Sequence, residues 1–364
     1  MSVVNIGIIG VGGFGRFSLE QFQRMPGVRV TAIAGTNPAK YAALAEEFDI
    51  PFHTTNWQAL VAHPAVNIVY IATPPDTRVE MVTAALTAGK HVFSEKPLAL
   101  ALPAADRMLE TAARNERRLG INFIMRYNPL YDAARAVVSA GVFGAPQRFF
   151  FENNASDLPA EHWFWDPARS GGILVEHGVH FFDIFHSFFG PGRLQWAGMG
   201  RRESGEADRW FCMLRYNERM FGSFYHAFDK PSEIEHTRAV IECEQGTLTF
   251  DGWYPISLTV EGITDAGGVE AMRASFSDLS VAAFAQPASV SAGGVCRQVT
   301  HRVNAGLALD DTQTAYAGAI SAAMRDFIAW TQDPTHTPRV SGADGRAALA
   351  LALAATGKAV ENAK

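Results

Sequence analysis

The feature that most constrains this chain is a regular alternation of apolar runs with amphipathic segments over residues 3–123. The apolar runs read VVNIGII, VRVTAIA, VNIVYIA and HVFS, and between them lie FGRFSLEQFQRM, PAKYAALAEEF and RVEMVTAALTAG. Near-continuous apolar strands separated by helices are typical of a parallel sheet covered on both faces. Asn37-Pro38 suits a helix start and Gly89 a helix end. We therefore predict a doubly wound α/β domain over residues 1–123.

The pattern changes after about Arg126, where strands are joined by tight turns. RWFCMLRY and MFGSFYHAF flank residues 217–219, and RAVIECE and TLTFDG flank Gln245-Gly246, which predicts two antiparallel hairpins. Residues 262–306 are rich in Gly, Ala and Ser and are interpreted as an insertion or long loop. Helical periodicity returns in AYAGAISAAMRDFIAWTQ and DGRAALALALAATGKAV. We predict a second α/β domain over residues 124–364, built on an antiparallel sheet.

Composition narrows the class of ligand. Apolar residues make up 48% of the chain, charged residues 19%, and the net charge is −6, so we expect no nucleic-acid or membrane partner and a small-molecule ligand. The three cysteines are scattered singly, which favours buried thiols in a reducing compartment. No cation precedes Arg16, and no apolar run approaches the roughly 20 residues of a membrane span. These features predict a cytoplasmic location.

A glycine motif lies directly after the first predicted strand. Gly10, Gly12 and Gly15 in GVGGFG, which also contains Phe14, fit the G-x-G-x-x-G fingerprint. The glycines allow a tight turn, close backbone approach to a pyrophosphate, and close packing of helix on strand. A purely structural glycine turn is the alternative, but the strand before the motif and the helix after it favour a dinucleotide site.

The end of the second predicted strand bears on which dinucleotide binds. An acid is expected there if the adenosine ribose is held through its 2′-hydroxyl, yet Gly35 occupies the position. Thr36, Asn37 and Lys40 follow and can donate to a 2′-phosphate, although Asn37 also suits a helix cap. We predict NADP over NAD, with NAD left open because a missing acid permits the phosphate without requiring it.

Two further strand ends point to the same crevice. Thr73 and Pro74 leave one strand, and Glu95 and Lys96 leave the next. In an open parallel sheet, ligands bind outside the carboxyl ends of the strands. These four residues are therefore predicted to contact the cofactor, with Glu95 and Lys96 near the nicotinamide. The alternatives are a solvated loop lysine and a surface acid.

The chain resembles the glucose-fructose oxidoreductase, inositol dehydrogenase and MocA-like oxidoreductases. The resemblance is carried, in order, by GIIGVGGFG, YIATPP, AGKHVFSEKPLAL, RYNP and SGGILVEHGVHFFD. It implies an N-terminal Rossmann domain, a C-terminal α/β domain whose large, mainly antiparallel sheet often supports oligomers, and NAD(P)-dependent hydride transfer on sugars, polyols or related alcohols. It also implies that Lys96 lies beside substrate and nicotinamide and that Pro97 is cis. The carboxylate and the acid/base histidine of the family correspond to Glu176 and His180.

Two residues depart from the family pattern. Glu176 replaces the commoner aspartate and adds a methylene, and Arg78 stands where many members have a histidine after TPP.

The chemistry of oxidising a secondary alcohol fits three of these residues. A histidine that titrates near neutrality, here His180, can exchange the hydroxyl proton. The ammonium of Lys96 can stabilise the developing alkoxide. Glu176 precedes His180 by four residues, so on an α-helix they share a face and the carboxylate can orient the imidazole. Asp183 is either a second orienting acid or a helix hydrogen-bonding residue, and His177 and His186 are interpreted as core residues.

Four further residues are candidates for binding the substrate. Arg126 and Tyr127 begin the second domain and are predicted to contact substrate. Trp163 and Arg169 are predicted to bind a sugar by stacking and hydrogen bonding, with core packing as the alternative for the tryptophan. The segment 176–186 is rich in possible metal ligands but has no HExxH motif, and hydride transfer needs no metal, so we predict none.

Three functions are compatible with these residues. The leading one is an NAD(P)-dependent oxidoreductase acting on a sugar, polyol or similar substrate as a homodimer or homotetramer. The second is a glycoside-cleaving enzyme of the same fold that uses the cofactor transiently. The third is a non-enzymatic NAD(P)-binding sensor, which could have lost the lysine and histidine that this chain retains.

Overall fold

A computed structural model describes residues 3–292 and 294–363. The ends of the predicted domains at residues 1 and 364, and Gly293 in the predicted loop, lie outside the described residues. The chain forms two compact units. The first contains the chain up to Ile124, Glu161–Asp183 and Ala317–Leu353, and the second contains Met125–Ala160, Ile184–Tyr316 and the chain from Ala354 onward.

The first unit is built on a six-stranded sheet in the order β3-β2-β1-β4-β5-β6, and every pair of neighbouring strands is parallel. Most residues of these strands are buried, as the continuous apolar runs predicted. The doubly wound fold is confirmed. Its strands are β1 (Val4–Ile9), β2 (Val28–Ala34), β3 (Phe52–Thr54), β4 (Ile68–Ile71), β5 (His91–Ser94) and β6 (Leu119–Ile121); its crossover helices are α1 (Gly13–Gln23), α2 (Pro38–Glu47), α3 (Trp57–Val61), α4 (Arg78–Thr87) and α5 (Leu102–Arg114).

The second unit is built on a nine-stranded sheet in the order β14-β15-β13-β12-β11-β7-β10-β9-β8. All neighbours are antiparallel except β7 and β10, and the two predicted hairpins are confirmed as β9–β10 and β11–β12. The strands are β7 (Pro146–Ser156), β8 (Arg193–Arg201), β9 (Ala207–Arg215), β10 (Phe221–Lys230), β11 (His236–Cys243), β12 (Gly246–Asp251), β13 (Ser257–Thr264), β14 (Ser280–Ala292) and β15 (Val295–Ala308).

The long-loop interpretation of residues 262–306 is wrong for the described residues. This stretch contains the end of β13, a helix over Ala266–Arg273, and the antiparallel pair β14–β15. Most residues of β14 are exposed or half-buried, so the strand does not need the apolar alternation that would reveal it in a sequence. Its pairing with β15 is also irregular between Ala283 and Ala288.

Several helices complete the chain, and parts of the chain after residue 160 return to the first unit. Phe327 packs on Phe93 of β5 with ring centroids 5.2 Å apart, and a Cβ at Gly120 would lie 2.6 Å from the Phe327 ring. Segments 161–183 and 317–353, which the sequence analysis gave to the second domain, thus fold with the first unit. The remaining helices are α6 (Pro129–Ser139), α7 (Pro167–Ser170), α8 (Val179–Phe189), α9 (Ala266–Arg273), α10 (Thr312–Gln332) and α11 (Gly342–Asn362).

Within the part of the chain that the structure describes, no helix is both long and apolar enough to cross a bilayer.

Candidate active site

The glycine motif forms the turn from β1 into α1. Gly10 has a φ of +92°, and a Cβ at Gly15 would lie 1.9 Å from the Gly10 carbonyl oxygen, so each position requires glycine. At Gly12 a Cβ would meet no protein atom within 4 Å, so the backbone there borders open space. The first turn of α1 carries no acid. A helix N-terminus with accessible backbone and no opposing carboxylate fits a dinucleotide pyrophosphate.

Beside the end of β2 lies a residue that was not predicted from the sequence. Tyr41, buried on α2, accepts a hydrogen bond from the Val11 amide at 2.9 Å. A Cβ at Gly35 would lie 1.8 Å from the end of this ring, so the glycine makes room for the phenol. In the sequence, the glycine in place of the expected acid was the only indication that another side chain fills this position.

Thr36, Asn37 and Lys40 are exposed just beyond this strand end. The Asn37 Oδ1 accepts from the Lys40 amide at 3.1 Å and caps α2, as its position before Pro38 suggested. Phe14, in the glycine motif, is half-buried with its ring centroid 6.3 Å from that of Phe17.

Arg78 joins the two turns that follow β4 and β5. Its guanidinium is 5% exposed and donates to three carbonyl oxygens: Thr73 at 2.7 Å, Glu95 at 2.9 Å and Pro97 at 2.8 Å. Burial lowers the pKa of Arg78 to about 10, so it stays charged at neutral pH. Arg78 therefore braces the backbone of both turns. Pro74 is exposed and Thr73 half-buried on the turn that it holds.

Glu95 lies inside the first unit rather than at its surface. Its Oε1 accepts from the Tyr70 hydroxyl at 2.6 Å and from the Asn122 amide at 2.7 Å. Burial raises the pKa of this carboxyl, while the two hydrogen bonds, and then Arg78 and Lys96, oppose the rise. The alternative of a surface acid is wrong for Glu95, and its predicted contact with a cofactor stays a prediction.

Lys96 is held by Glu176. Its Nζ donates to Oε1 of Glu176 at 2.5 Å and to the Glu176 carbonyl oxygen at 2.8 Å, and both side chains are mostly buried. The Lys96–Pro97 peptide bond is cis, as the resemblance implied. The ion pair places a cation and a carboxylate at the carboxyl end of β5.

Glu176 does not share an α-helical face with His180. Leu174–Gly178 form a π-helix, and α8 begins only at Val179. Because a π-helical turn contains more residues than an α-helical one, the four-residue spacing no longer aligns the two side chains. The Glu176 carboxylate pairs with Lys96, which corrects its predicted task of orienting the imidazole.

His180 belongs to the same unit as Lys96 and is 3% exposed. Its ring meets the Phe123 ring edge-on, with centroids 6.1 Å apart. Burial, and then the Lys96 ammonium and His177, hold the pKa of His180 well below its ordinary value, which corrects the expected titration near neutrality. The imidazole is therefore neutral at physiological pH and is a weaker base than a solvent-exposed histidine. His177 is also buried, and burial and Lys96 lower its pKa to about 3.

The predicted substrate residues divide between the two units. Trp163 is half-buried in the turn Trp163–Trp165, and Arg169 is exposed on α7, which contacts the turn Pro75–Thr77 within the first unit. Arg126 and Tyr127 are half-buried and belong to the second unit. Their contact with substrate stays a prediction. Across residues 3–292 and 294–363, no group of three or more His, Cys, Asp or Glu side chains could hold a metal ion.

The fold and glycine loop define the class as a Rossmann-type dinucleotide-binding protein. Two family models match this chain: an oxidoreductase family with an NAD-binding Rossmann fold over residues 4–123, and the GFO/IDH/MocA C-terminal domain over residues 131–249. A 1,5-anhydro-D-fructose reductase from Ensifer adhaerens is 30% identical over 61% of this chain and 68% of its own length. The chain belongs to the GFO/IDH/MocA oxidoreductase family.

The chain is also similar to other oxidoreductases and to solved structures. A scyllo-inositol 2-dehydrogenase (NAD(+)) from Bacillus subtilis is 26% identical over 54% of this chain and 57% of its own length. The chain spans about half the length of several curated relatives that it matches. Among solved structures, a levoglucosan dehydrogenase in complex with NADH and L-sorbose has a TM-score of 0.77 at 20% identity, covering 99% of this chain and 98% of its own. A 3-ketoreductase from Actinomadura kijaniata in complex with NADP has a TM-score of 0.75 at 19% identity, covering 98% of each chain. These two structures share the fold.

Proposed function

We propose that this protein is an NAD(P)-dependent oxidoreductase that interconverts a secondary alcohol and a carbonyl on a sugar, polyol or related substrate. The observation that carries the proposal is the ion pair of Lys96 with Glu176 at the carboxyl end of β5, in the same unit as a buried, neutral His180. Hydride transfer is favoured by a cation near the alkoxide and by a group that exchanges the hydroxyl proton. Lys96 supplies the cation and His180 the exchanging group.

Lys96, Glu176 and His180 have different roles in the proposed reaction. Lys96 binds the reacting oxygen and stabilises its negative charge, and Glu176 fixes the direction of the ammonium. His180 accepts the hydroxyl proton at Nε2 or Nδ1 during oxidation and returns it during reduction. A bound nicotinamide supplies the hydride acceptor or donor. The burial of His180 excludes water from the proton being transferred.

We further propose that the cofactor is NADP in preference to NAD. The support is the absence of an acid at Gly35 and the presence of Thr36, Asn37 and Lys40, all exposed at the end of β2. A carboxylate at this point would repel a 2′-phosphate, whereas an ammonium and neutral donors attract it.

The substrate class rests on relatives whose names specify anhydrofructose and inositols. Trp163 and Arg169 offer a stacking surface and a hydrogen-bond donor for such a substrate in the first unit. We also propose a homo-oligomer. The outer face of β8–β10 exposes an apolar patch, here called the β9 patch, made of Trp196, Phe211, Met213 and Phe221, which are 44%, 38%, 36% and 42% exposed.

The test is to measure turnover and cofactor affinity separately. Lys96→Ala and His180→Ala are each expected to reduce turnover by about 100-fold or more, because each removes a group that acts on the reacting oxygen. Affinity for NADPH, measured by fluorescence titration, should change by less than about threefold. Lys358→Ala, at an exposed position on α11, is the matched control and should behave as wild type.

The substrate panel of sugars and polyols is read by absorbance at 340 nm. Wild-type turnover in both Lys96→Ala and His180→Ala would remove the proposed mechanism. Cleavage of a glycoside over many turnovers, with no net change at 340 nm, would instead favour transient use of the cofactor.

A further inference from the structure

Just beyond the end of β2, a side chain at position 35 and the phenol of Tyr41 would occupy the same space. The phenol of Tyr41 passes over Gly35 to reach the Val11 amide at 2.9 Å. A Cβ at residue 35 would lie 1.8 Å from both Cζ and the hydroxyl oxygen of Tyr41. No residue with a side chain at position 35 can therefore coexist with Tyr41 in this place.

Position 35 is where a Rossmann domain carries its ribose-binding acid. We infer that Tyr41 is a specificity-determining residue, whose neutral phenol takes the place of that acid and admits a dinucleotide with a 2′-phosphate on the adenosine ribose. The inference deepens the proposed function and rests on it.

The hydrogen bonding of the phenol supports this role. Its oxygen accepts the Val11 amide, which fixes the loop before Gly12 and leaves the phenolic hydrogen to donate. Burial raises the pKa of Tyr41, so the group remains a neutral donor across the physiological range. A neutral donor can bind either a ribose hydroxyl or a phosphate oxygen, whereas a carboxylate repels the phosphate.

The neighbouring residues complete a site without negative charge. Gly35 to Lys40 contains no carboxylate and has one lysine. Because Asn37 uses its Oδ1 to cap α2, its amide nitrogen is left to donate. Thr36, Asn37 and Lys40 are all exposed beside the buried Tyr41. The preference for a 2′-phosphate thus comes from a tyrosine that replaces the acid and from donors that follow it.

The decisive experiment rebuilds the acid. Gly35→Asp combined with Tyr41→Ala frees the space and supplies the carboxylate, while Gly35→Ala with Tyr41→Ala frees the same space without charge. Dissociation constants for NADPH and NADH are measured by fluorescence titration and calorimetry, without turnover. We expect the ratio of NADPH to NADH affinity to fall by about tenfold or more in the aspartate variant relative to the alanine control. An equal ratio in the two variants would overturn the inference.

Two single variants provide a second test in case a double variant does not fold. Tyr41→Phe removes only the hydroxyl and should weaken NADPH and NADH alike, by about 2- to 10-fold, because the Val11 loop loses its anchor. Gly35→Asp alone should lower the melting temperature and weaken both cofactors, since Tyr41 must leave its place. Wild-type affinities in both single variants would also overturn the inference.

The affinity and turnover measurements distinguish failure of this inference from failure of the proposed function. Wild-type affinity for NADH above that for NADPH would contradict the proposed cofactor preference, while the two double variants would still report on a carboxylate at position 35 and Tyr41→Phe on the tyrosine. Loss of turnover in a panel of substrates would bear on Lys96 and His180 and leave the affinity ratios unchanged.

Discussion

At the scale of single residues, the carboxylate of Glu176 is the closest partner of the proposed alkoxide-stabilising group. It lies 2.5 Å from the Lys96 Nζ, and the same residue offers its carbonyl oxygen at 2.8 Å. The side chain of Glu176 thus reaches Nζ from the π-helix that carries it. Glu176 acts through Lys96 and is a positioning residue.

Changing Glu176 should separate its charge from its length. Glu176→Gln keeps the length and loses the charge, and Glu176→Asp keeps the charge but is one methylene too short to reach Nζ without movement. Both are expected to reduce kcat by about 10- to 100-fold with little change in KM, because the ammonium is no longer aimed at the reacting oxygen. Steady-state kinetics with a responsive substrate measures this split. A rise in KM at constant kcat would show that Glu176 serves substrate binding instead.

At the scale of elements, Arg78 connects turns that come from two different strands. Its three carbonyl partners lie after β4 and after β5, so one buried guanidinium sets the spacing of the Thr73 turn and the Lys96 turn. A histidine has two ring nitrogens and could not donate to three carbonyls at once, so the guanidinium suits this position.

Removing this brace should affect both stability and cofactor binding. Arg78→Ala leaves three carbonyl oxygens without this donor, at a cost of about 1–3 kcal/mol for each one that stays buried. The expected melting temperature is lower by about 5 °C or more, and NADPH should bind more weakly because the Thr73 turn is released. Arg78→Lys should lie between wild type and Arg78→Ala. Exposed Arg24→Ala is the control, and equal melting curves for Arg78→Ala and this control would contradict the bracing role.

The elements also show how far sequence reasoning reaches. The strand and helix pattern over residues 3–123 and the hairpins β9–β10 and β11–β12 were predictable because burial on a defined face imposes a periodic pattern. The strand β14 was not, since it is mostly exposed and carries no such pattern. The π-helix at Leu174–Gly178 and the return of Phe327 to β5 were also missed. Both depend on contacts between segments distant in the chain, which local periodicity does not encode.

At the scale of the whole molecule, the β9 patch predicts self-association. Trp196 and Met213 are paired across β8 and β9, and their side chains share the outward face with Phe211. Phe211→Glu should convert an oligomer to a monomer in light scattering, because a carboxylate would be buried against apolar side chains. Ile234→Glu, at an apolar residue that is 60% exposed and lies outside the patch, is the control. A wild-type chain that is monomeric at tens of micromolar would contradict the proposed oligomer.

Four histidines that are buried or half-buried predict how stability depends on pH. Burial is the main cause of a lowered pKa in each of four histidines, which are His91 at about 4, His177 at about 3, His186 at about 4, and His180, well below its ordinary value. Because these pKa values are depressed in the folded state, the unfolded chain binds more protons below pH 6.5. The stability that the neutral rings contribute is complete above pH 6.5 and is lost as the pH falls toward 4. Glu95, whose pKa is raised, acts in the opposite sense, but it is one carboxyl against four imidazoles.

The free energy of unfolding is therefore expected to fall steadily between pH 7 and pH 5, by up to about 1.4 kcal/mol per pH unit for each fully buried ring, and the melting temperature should fall with it. His186→Phe, which removes one titrating ring from the aromatic surroundings of Tyr216, should make this dependence shallower. His53→Gln is the control, because the His53 ring is exposed in the folded protein as well. Calorimetry across this range measures the slopes. A melting temperature that rises on acidification to pH 5 would show that the raised pKa of Glu95 outweighs the histidines.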